Sequence, residues 1–244
     1  MEKIRADLHV HTVLSPCAEV EMIPPLIVRE ALDRGIHLIA ITDHNATGNI
    51  RAVMEAAQGT DLTVLPGMEL QTREEVHLLC LFENLEQAET WQKVVNSILP
   101  DRSNNPEFFG EQFIVDASGD FIRREERLLI VSAEIGLDEA SAQVHALGGF
   151  PIPAHVDRKA FSLIANLGLV PPGFEALEIS RHLKPDEAAI RYPQIRGYPL
   201  IQSGDVHRLE EFLGVCEFHL VAPTLEEIRM ALKKQAGREL CMLS

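Results

Sequence analysis

Short apolar runs alternate with amphipathic segments along most of the chain. The run "HLIAITDH" at 37–44 is mostly apolar, which is typical of a strand that is buried on both faces. The segment "PPLIVREALDRG" at 24–35 has apolar residues at helical spacing, proline in the first turn and glycine at the end. The repeated alternation predicts an α/β fold with parallel strands and helical crossovers.

One region breaks this alternation. Residues 100–137 contain many turn formers and then "FIVDASGDFI", in which two apolar runs flank an Asp-Ala-Ser-Gly turn. That pattern is typical of a β-hairpin. Because the segment is too short to enclose a core of its own, we interpret it as an insertion or lid within a single domain covering 1–244.

The length and composition agree with one barrel-type domain. The chain has 244 residues, and 46% of them are hydrophobic, which suffices for a large core. No apolar run approaches the length of a membrane span, and the first residues lack the apolar centre of a signal peptide, so we expect a cytoplasmic protein. The four irregularly spaced cysteines do not predict a disulfide framework.

The formal net charge of −15 suggests which partners to expect. A duplex nucleic-acid binder usually needs a basic face, so we expect no duplex nucleic acid and no membrane partner. An excess of carboxylates suits a protein that binds cations, although acidic surfaces also serve solubility. The oligomeric state is left open.

Polar residues follow several predicted strands. Of the ten histidines, six lie at or near the C-terminal ends of predicted strands, and four carboxylates lie with them. Active sites of parallel α/β proteins form at these ends. The residues are His9, His11, His44, His77, His155 and His207, with Asp7, Asp43, Glu69 and Asp205.

Strand geometry groups some of these residues. His9 and His11 are two residues apart, so both side chains leave a strand on the same face, about 6.6 Å apart along it. Asp205 and His207 repeat that spacing, and each pair suits one metal ion. The adjacent residues Asp43 and His44 point to opposite faces, so we expect one to be a ligand and the other to orient it.

A single histidine is more often a surface or core residue than a ligand. The joint occurrence of several at successive strand ends favours a metal site. The remaining four histidines are interpreted as ordinary surface or core residues: His37, His145, His182 and His219.

Four motifs in order resemble those of the PHP (polymerase and histidinol phosphatase) domain family. They are "DLHVHT" at 7–12, "ITDHN" at 41–45, "PAHVDR" at 153–158 and "SGDVH" at 203–207. The segments "PGMEL" and "EVHLL" also match segments of the family, and the resemblance spans about residues 4–210. Residues 83–150 carry none of the motifs.

The resemblance implies a distorted (β/α)7 TIM-like barrel with two or three zinc, manganese or iron ions at its C-terminal mouth. It assigns His9, His11, Glu69 and Asp205 to the first ion. It has Glu69 bridge to a second ion held by His77 and His155. It assigns His44, His207 and Cys17 to a third, and it makes Asp7 and Asp43 groups that orient the ligands.

Cys17 is the main departure, because members of the family often carry aspartate or histidine at that position. A thiolate is a soft ligand that suits zinc or iron. The alternative is a small buried thiol that packs behind the loop. The sequence leaves both interpretations open.

Metal ions at such a site activate water and bind phosphate oxygens, which predicts hydrolysis of phosphate esters by a metal-bridging hydroxide. Arg158 could hold a substrate phosphate with its planar guanidinium or be an ordinary surface residue. Arg181 and Arg208 are weaker candidates for that role. The expected substrate is small and phosphorylated, with a mononucleotide or short oligonucleotide open. The residues expected to take part in catalysis are Asp205, Glu69, His207 and Arg158.

Two other functions remain open. A metal-dependent amidohydrolase also begins with two histidines on its first strand, but it normally adds a carboxylated lysine, and no predicted strand end has a suitable one. A non-catalytic PHP module would have lost ligands, whereas this chain keeps nearly all of them.

Overall fold

Eleven strands and eight α-helices form within residues 1–243, the part of the chain that the computed structural model describes. The strands are β1 (Glu2–Val10), β2 (Leu38–Ile41), β3 (Thr63–Gln71), β4 (His77–Leu81), β5 (Phe113–Val115), β6 (Phe121–Arg124), β7 (Phe150–Pro153), β8 (Leu177–Ile179), β9 (Leu200–Gln202), β10 (Cys216–Leu220) and β11 (Glu239–Met242). The helices are α1 (Pro24–Asp33), α2 (Ile50–Ala56), α3 (Leu85–Ile98), α4 (Pro106–Phe109), α5 (Leu137–Ala146), α6 (Leu163–Leu167), α7 (Pro185–Arg191) and α8 (Leu225–Leu232).

Seven strands form one curled sheet in the order β11-β10-β1-β2-β3-β4-β7. β1, β2 and β3 are parallel and are joined by α1 and α2, as the sequence predicts. β4 is antiparallel to both β3 and β7, and β10 is antiparallel to β1. The link from β3 to β4 is too short for a crossover, since parallel neighbours need a dozen or more connecting residues. The strictly parallel alternation predicted from the sequence therefore holds for only part of the fold.

The parallel pair β8–β9 lies between β7 and β1. The backbone N–H of Val156, after β7, donates to the Glu178 carbonyl oxygen in β8 at 2.9 Å. The N–H of Val206, after β9, donates to the His9 carbonyl oxygen in β1, also at 2.9 Å. These links bring the loops after β7 and β9 to the same mouth as the end of β1. The result is a mixed α/β fold with TIM-like curvature.

A bulge in β1 directs the first histidines. Asp7 pairs with Ile39 and Val10 with Ile41, so β1 uses one more residue than β2 over this interval. Leu8 packs in one half of the hydrophobic core, but Val10 packs in the other half. Such bulges redirect side chains next to functional sites. Here the bulge lies between Asp7 and Val10 and overlaps the start of the HxH motif.

Side-chain caps mark the start of α3 and α6. Asn84 and Gln87 form a reciprocal capping box at the start of α3, and Ser162 caps α6. Such side chains satisfy backbone N–H groups that the first turn of a helix leaves free. On α3, Trp91 is fully buried against the core, which fixes this helix on the sheet.

The predicted hairpin forms, with β5 antiparallel to β6. Its backbone docks on the first two motif loops, because Phe113 N–H donates to the Val13 carbonyl oxygen at 2.9 Å. The Asn49 side chain donates to the Phe113 oxygen at 2.9 Å and accepts from Val115 N–H at 3.0 Å. The backbone of this hairpin is therefore attached to the mouth of the sheet by hydrogen bonds.

None of the helices within residues 1–243 is long and apolar enough to cross a membrane.

Candidate metal centre

Glu69 lies at the centre of the mouth, near the end of β3. Its Oε1 atom is 2.7 Å from His77 Nδ1 and 3.1 Å from His155 Nε2. The same oxygen is 3.3 Å from His9 Nε2. Its Oε2 atom is 2.9 Å from His44 Nδ1. One carboxylate thus touches histidines from four different strands or strand ends.

Asp205 approaches the cluster from the loop after β9. Its Oδ1 atom is 3.2 Å from His9 Nε2, 3.4 Å from His11 Nε2 and 3.5 Å from His207 Nδ1. Its Oδ2 atom accepts a hydrogen bond from the Arg158 guanidinium. Asp205 therefore connects the histidines to the arginine at the rim.

The nine predicted ligands divide by their exposure. Four of them, which we call the inner group, are at most 1% exposed. The outer group faces the opening, and Asp205 lies between the two. The inner group is His9, His11, Glu69 and His155, and the outer group is Cys17, His44, His77 and His207.

Metal ions fit this arrangement because it leaves buried ligand atoms without partners. The Nε2 atoms of His9 and His11, Oε2 of Glu69 and Nδ1 of His155 form no hydrogen bond of acceptable geometry, although charged atoms lie nearby. Buried polar atoms of this kind are costly unless something else satisfies them. Divalent cations would do so.

Among the described residues of the mouth, three sets of side chains bring their ligand atoms together, and within each set these atoms lie within 4.8 Å of one another. The sets are His9–His11–Asp205, His44–Glu69–His77 and His11–His44–His207. The first contains three of the four residues that the resemblance assigns to the first ion, without Glu69. In the second, Glu69 and His77 are joined by His44, where the resemblance implies His155.

Glu178 in β8 orients His9, and the sequence analysis missed it. His9 Nδ1 lies 3.0 Å from Glu178 Oε2, and the His155 backbone N–H donates to the same oxygen at 3.0 Å. Because a carboxylate only accepts, His9 carries its proton on Nδ1 and turns Nε2 toward Glu69. Carboxylates commonly hold metal-binding histidines this way. A glutamate inside the short apolar strand "LEI" was the available signal.

A second chain of hydrogen bonds orients His11. The Ser15 hydroxyl donates to Asp43 Oδ1 at 2.7 Å, so its oxygen accepts from His11 Nδ1 at 2.9 Å. His11 therefore holds its proton on Nδ1, and Nε2 is free to bind a cation. Asp43 also accepts from Thr12, through the backbone N–H at 2.7 Å and the hydroxyl at 2.8 Å. Burial raises the pKa of Asp43.

Asp7 lies beneath the mouth and holds the loop that carries Asp205. Its carboxylate accepts from the backbone N–H groups of Gly204 at 3.0 Å and Leu213 at 2.9 Å. Burial raises the pKa of Asp7 to about 6, although these hydrogen bonds oppose the shift. Neither Asp7 nor Asp43 belongs to a set of converging ligand atoms in the described residues.

The two central carboxylates stay ionised although they are buried. Burial would raise the pKa of Glu69, but the charges of His77, His9 and His44 outweigh it and hold that pKa well below its usual range. For Asp205, burial is likewise outweighed, chiefly by the charge of His9. Burial is also outweighed at His9, whose pKa is raised well above normal by Glu178, Asp205 and Glu69. The mouth therefore concentrates negative charge that cations can balance.

Cys17 is an exposed residue whose thiol faces two histidines of the outer group. Burial of the sulfur opposes ionisation, but the charge of His44 and hydrogen bonds with His207 and His44 outweigh it and lower the pKa to about 6. A thiol packed behind the loop in apolar surroundings would have a raised pKa instead. The surroundings of Cys17 thus favour the thiolate, the form that binds metals.

Three residues at the mouth have backbone conformations that side chains rarely adopt. Asn45, His155 and Asp205 have φ angles of 50°, 30° and 50°. Asparagine, aspartate and histidine adopt positive φ more often than other side chains, but it is uncommon for all of them. Such strain is typically found at functional sites, where the surrounding structure imposes it.

The three candidate phosphate-binding arginines lie in different surroundings. Arg158 contacts Asp205 at the rim of the cluster. Arg181 lies 2.8 Å from Glu211 and Arg208 lies 2.9 Å from Glu19, so both guanidinium groups already have carboxylate partners elsewhere. Arg158 is the one of the three that contacts a predicted ligand.

Solved structures share this fold. The lesion-specific endonuclease PfuEndoQ from Pyrococcus furiosus is 20% identical, with a TM-score of 0.74 over 98% of this chain and 58% of that one. This chain therefore spans less than two thirds of the endonuclease. A proposed metal-dependent phosphoesterase from Bifidobacterium adolescentis is 19% identical, with a TM-score of 0.58 over 95% of this chain and 96% of that one.

Further comparisons widen the range of activities found on the fold. An amidohydrolase from Chromobacterium violaceum, solved with bound sulfate, is 19% identical, with a TM-score of 0.55 over 86% of this chain and 90% of that one. No curated protein matches the chain in the sequence comparison.

One structure overturns an expectation from the sequence. One solved structure is a complex of endonuclease Q with a 27-mer duplex substrate that has an abasic lesion at the active site. The endonuclease in this complex is 20% identical to this chain, with a TM-score of 0.71 over 98% of this chain and 58% of that one. Our exclusion of duplex nucleic acid from the net charge of −15 was therefore wrong. Net charge sums the whole surface, whereas a polyanion responds to the local field where it binds.

The family follows from the sequence itself. The model of the PHP domain matches residues 7–161, which is more than half of the chain and includes three of the four motifs. This chain therefore belongs to the PHP domain family.

Proposed function

We propose that the protein is a metal-dependent hydrolase that cleaves phosphate esters. The observation that carries this proposal is the contact between Arg158 and Asp205 at the edge of the buried ligand cluster. It sets a fork of N–H donors, suited to phosphate oxygens, beside the side chains that would hold cations. A phosphate that bridges the Arg158 guanidinium and the bound cations would meet positive charge from each of them.

Two or three divalent ions, with zinc, manganese and iron as the candidates, would occupy the mouth. His9, His11 and Asp205 would hold one ion, and His44, Glu69 and His77 another, with His155 beside Glu69. A third ion held by His207 and Cys17 would take His44 in place of the second ion, since a neutral imidazole has one lone pair; Glu69, His77 and His155 would then hold the second ion. Bound ions would supply Lewis acidity and would lower the pKa of water.

The side chains of the chain itself would supply orientation and proton control. Glu69 would fix the positions of histidines in both groups relative to one another, since it contacts His9 in the inner group and His44 in the outer group. His207 Nδ1 donates to the Asp205 carbonyl oxygen at 3.0 Å, so the proton is on Nδ1 and Nε2 faces away from this contact. Nε2 could then bind a cation or hold a proton near the leaving group. Arg158 would position the phosphate.

The test joins elemental analysis with a substrate panel. Purified protein should contain tightly held divalent ions and should hydrolyse phosphate esters, with activity lost on chelation and restored by Mn²⁺ or Zn²⁺. The panel should contain phosphomonoesters, dinucleotide phosphodiesters and DNA duplexes with and without an abasic site. Bound metal without turnover of any ester would contradict the proposal.

The amidohydrolase alternative receives less support from the site. Glu69 occupies the centre where that mechanism normally uses a carboxylated lysine, and the converging ligand sets of the described residues contain no lysine. Adding N-acyl and cyclic amide substrates to the panel tests this alternative. A non-catalytic module would hold less than one ion per chain at the mouth, so Glu69→Gln would not change its metal content.

A further inference from the structure

A second group of metal-binding side chains lies at the other end of the sheet. β10 and β11 are antiparallel, with His219 opposite Glu239 and Glu217 opposite Cys241. Residues two apart on a strand share a face, so these four side chains lie together. His219 also pairs with Lys3 near the start of β1. The HxH motif lies at the end of β1, about 20 Å away by strand rise.

Three of these side chains converge. Ligand atoms of His219, Glu239 and Cys241 lie within 4.8 Å of one another. His219 and Cys241 are half-buried, and the Glu239 side chain is 50% exposed. An ion can therefore enter from solvent and still be held by groups that the sheet positions. Imidazole, thiolate and carboxylate together suit Zn²⁺ and similar transition metals rather than Mg²⁺ or Ca²⁺.

The imidazole of His219 supplies an independent argument. Its Nε2 atom is 3.2 Å from Glu217 Oε1, and its Nδ1 atom is 3.0 Å from Glu239 Oε1. A neutral imidazole has one N–H and both carboxylates only accept, so one of these contacts places two lone pairs face to face. Either a second proton or a cation must relieve that contact.

Glu217 identifies the nitrogen that carries the proton. Lys3 Nζ lies 3.1 Å from the same Glu217 oxygen and holds this carboxylate in place. Nε2–H would then donate to Glu217, and the lone pair of Nδ1 would face Glu239 and Cys241. Many metal sites contain this arrangement, in which a carboxylate holds the far nitrogen of a histidine ligand.

We propose that His219, Glu239 and Cys241 bind one transition-metal ion, with Glu217 positioning His219 and water completing the coordination. The ion would fasten β11, the last strand at the sheet edge, to β10. This site is independent of the mouth and of the hydrolase proposal. It also revises the interpretation of His219, which the sequence analysis treated as an ordinary surface or core residue.

The first test starts from the metal-stripped protein and measures the number of zinc ions bound per chain, by equilibrium dialysis and elemental analysis. Cys241→Ala and His219→Ala should each lose one Zn²⁺ per chain relative to the wild type. Glu217→Gln should weaken this site about 10- to 100-fold, as other carboxylate partners of ligating histidines do. His37→Ala removes an exposed histidine near the same end of the sheet and should lose none.

A second readout identifies the thiolate. Co²⁺ bound by Cys241 should give a cobalt–thiolate charge-transfer absorption that persists in Cys17→Ala and disappears in the double variant Cys17→Ala/Cys241→Ala. Circular dichroism of the metal-free proteins checks that the variants fold. If one of them does not, Glu239→Gln, at a half-exposed side chain, should still lose the ion. Equal zinc counts in the wild type and the folded variants would refute the site and leave a protonated His219 as the explanation.

Discussion

The inner and outer groups of the mouth differ in how firmly their side chains are held. His9 and His11, in the inner group, each have a ring nitrogen fixed by a buried partner, Glu178 or Ser15. In the outer group, the residue Cys17 is exposed, and the His207 ring contacts a backbone carbonyl and the Cys17 thiol. This difference indicates that His9 and His11 are oriented before ions arrive, whereas Cys17 and His207 can adjust to ion and substrate.

The pKa shifts of the histidines vary within each group. Burial lowers the pKa of His11 well below normal, with the charge of His207 adding to the effect, so its Nε2 lone pair is available at neutral pH. Burial is outweighed at His44, where Cys17 and Glu69 raise the pKa well above normal. The same contrast occurs inside each group, since the pKa of His9 is raised and burial lowers the pKa of His77 to about 4. An ion that binds His9 or His44 must therefore displace protons, which makes binding at these residues more sensitive to pH.

Removing the charge at the centre should have the largest effect, because Glu69 serves both groups. We expect Glu69→Gln to lose most of the bound metal and to lower kcat/KM for a phosphate ester by at least about 10³-fold. Elemental analysis and steady-state kinetics measure the two losses, with circular dichroism as the check on folding. Full metal content in this variant would show that Glu69 is not the shared ligand.

Removing the partner of an inner histidine should have the next largest effect. Glu178→Gln keeps the shape but weakens the hold on His9, so we expect metal affinity to fall about 10- to 100-fold. Competition with a chromogenic chelator measures the change. Glu175→Gln is the matched control, since Glu175 pairs with Lys233 away from the mouth. Equal affinities of the two variants would contradict the difference between the inner and outer groups.

Arg158 tests the rim of the site. Losing one charged hydrogen bond to a phosphate costs about 1.5–3 kcal/mol, so Arg158→Ala should raise KM for a phosphate ester about 10- to 100-fold with bound metal unchanged. Arg158→Lys should recover part of this loss, because it keeps the charge without the planar fork. Arg208→Ala, at an exposed arginine paired with Glu19, should change KM little. Similar KM values for the Arg158 and Arg208 alanine variants would remove the phosphate-binding role.

The ion of the outer group can be lost separately. Cys17→Ser should remove one ion while the ions of the inner group stay bound, and elemental analysis counts them. His182→Ala, at an exposed histidine outside the ligand sets, should keep the full count. An unchanged count in Cys17→Ser would mean that the thiol is not a ligand.

The pKa of Cys17 gives the smallest and most specific prediction. The thiolate forms above pH 6 and is lost as pH falls through about 6. In the metal-stripped protein, the alkylation rate of Cys17 should therefore rise between pH 5 and 7 and then level off. Cys216 should stay unlabelled because burial raises its pKa to about 12. Mass spectrometry locates the label, zinc should protect Cys17, and a rate that still rises steeply above pH 8 would contradict the lowered pKa.

Spacing and motif order were enough to predict most residues that the structure brings together at the mouth. Strand spacing grouped His9 with His11, which lies just after β1. Asp205 and His207 lie in the loop after β9, so they converge without the strand geometry that the sequence predicted for them. Glu178 could not be assigned from local sequence, because its contact with His9 spans 169 positions and depends on where β8 lies.

The architecture was predictable only in part, for reasons that lie in the connections. Apolar runs indicate strands but carry no direction, and the short turn between Gln71 and His77 was the overlooked sign that β4 is antiparallel. The bulge in β1 depends on pairing with β2, which no single strand reveals. The expectation that duplex nucleic acid is excluded was wrong because a net charge does not tell where on the surface the charges lie.

The contacts of residues 100–137 limit how this segment could be transplanted between proteins of this fold. Gly110 has a φ of 100°, and a side chain there would collide with the Pro16 carbonyl, next to Cys17. The Asn45 amide donates to the backbone oxygens of Leu129 and Val131 at 2.6 and 2.8 Å. Residues 100–137 therefore contact the two motif loops next to Cys17 and His44. Grafting residues 100–137 onto a related scaffold would succeed only if the recipient also received the two motif loops on which they rest.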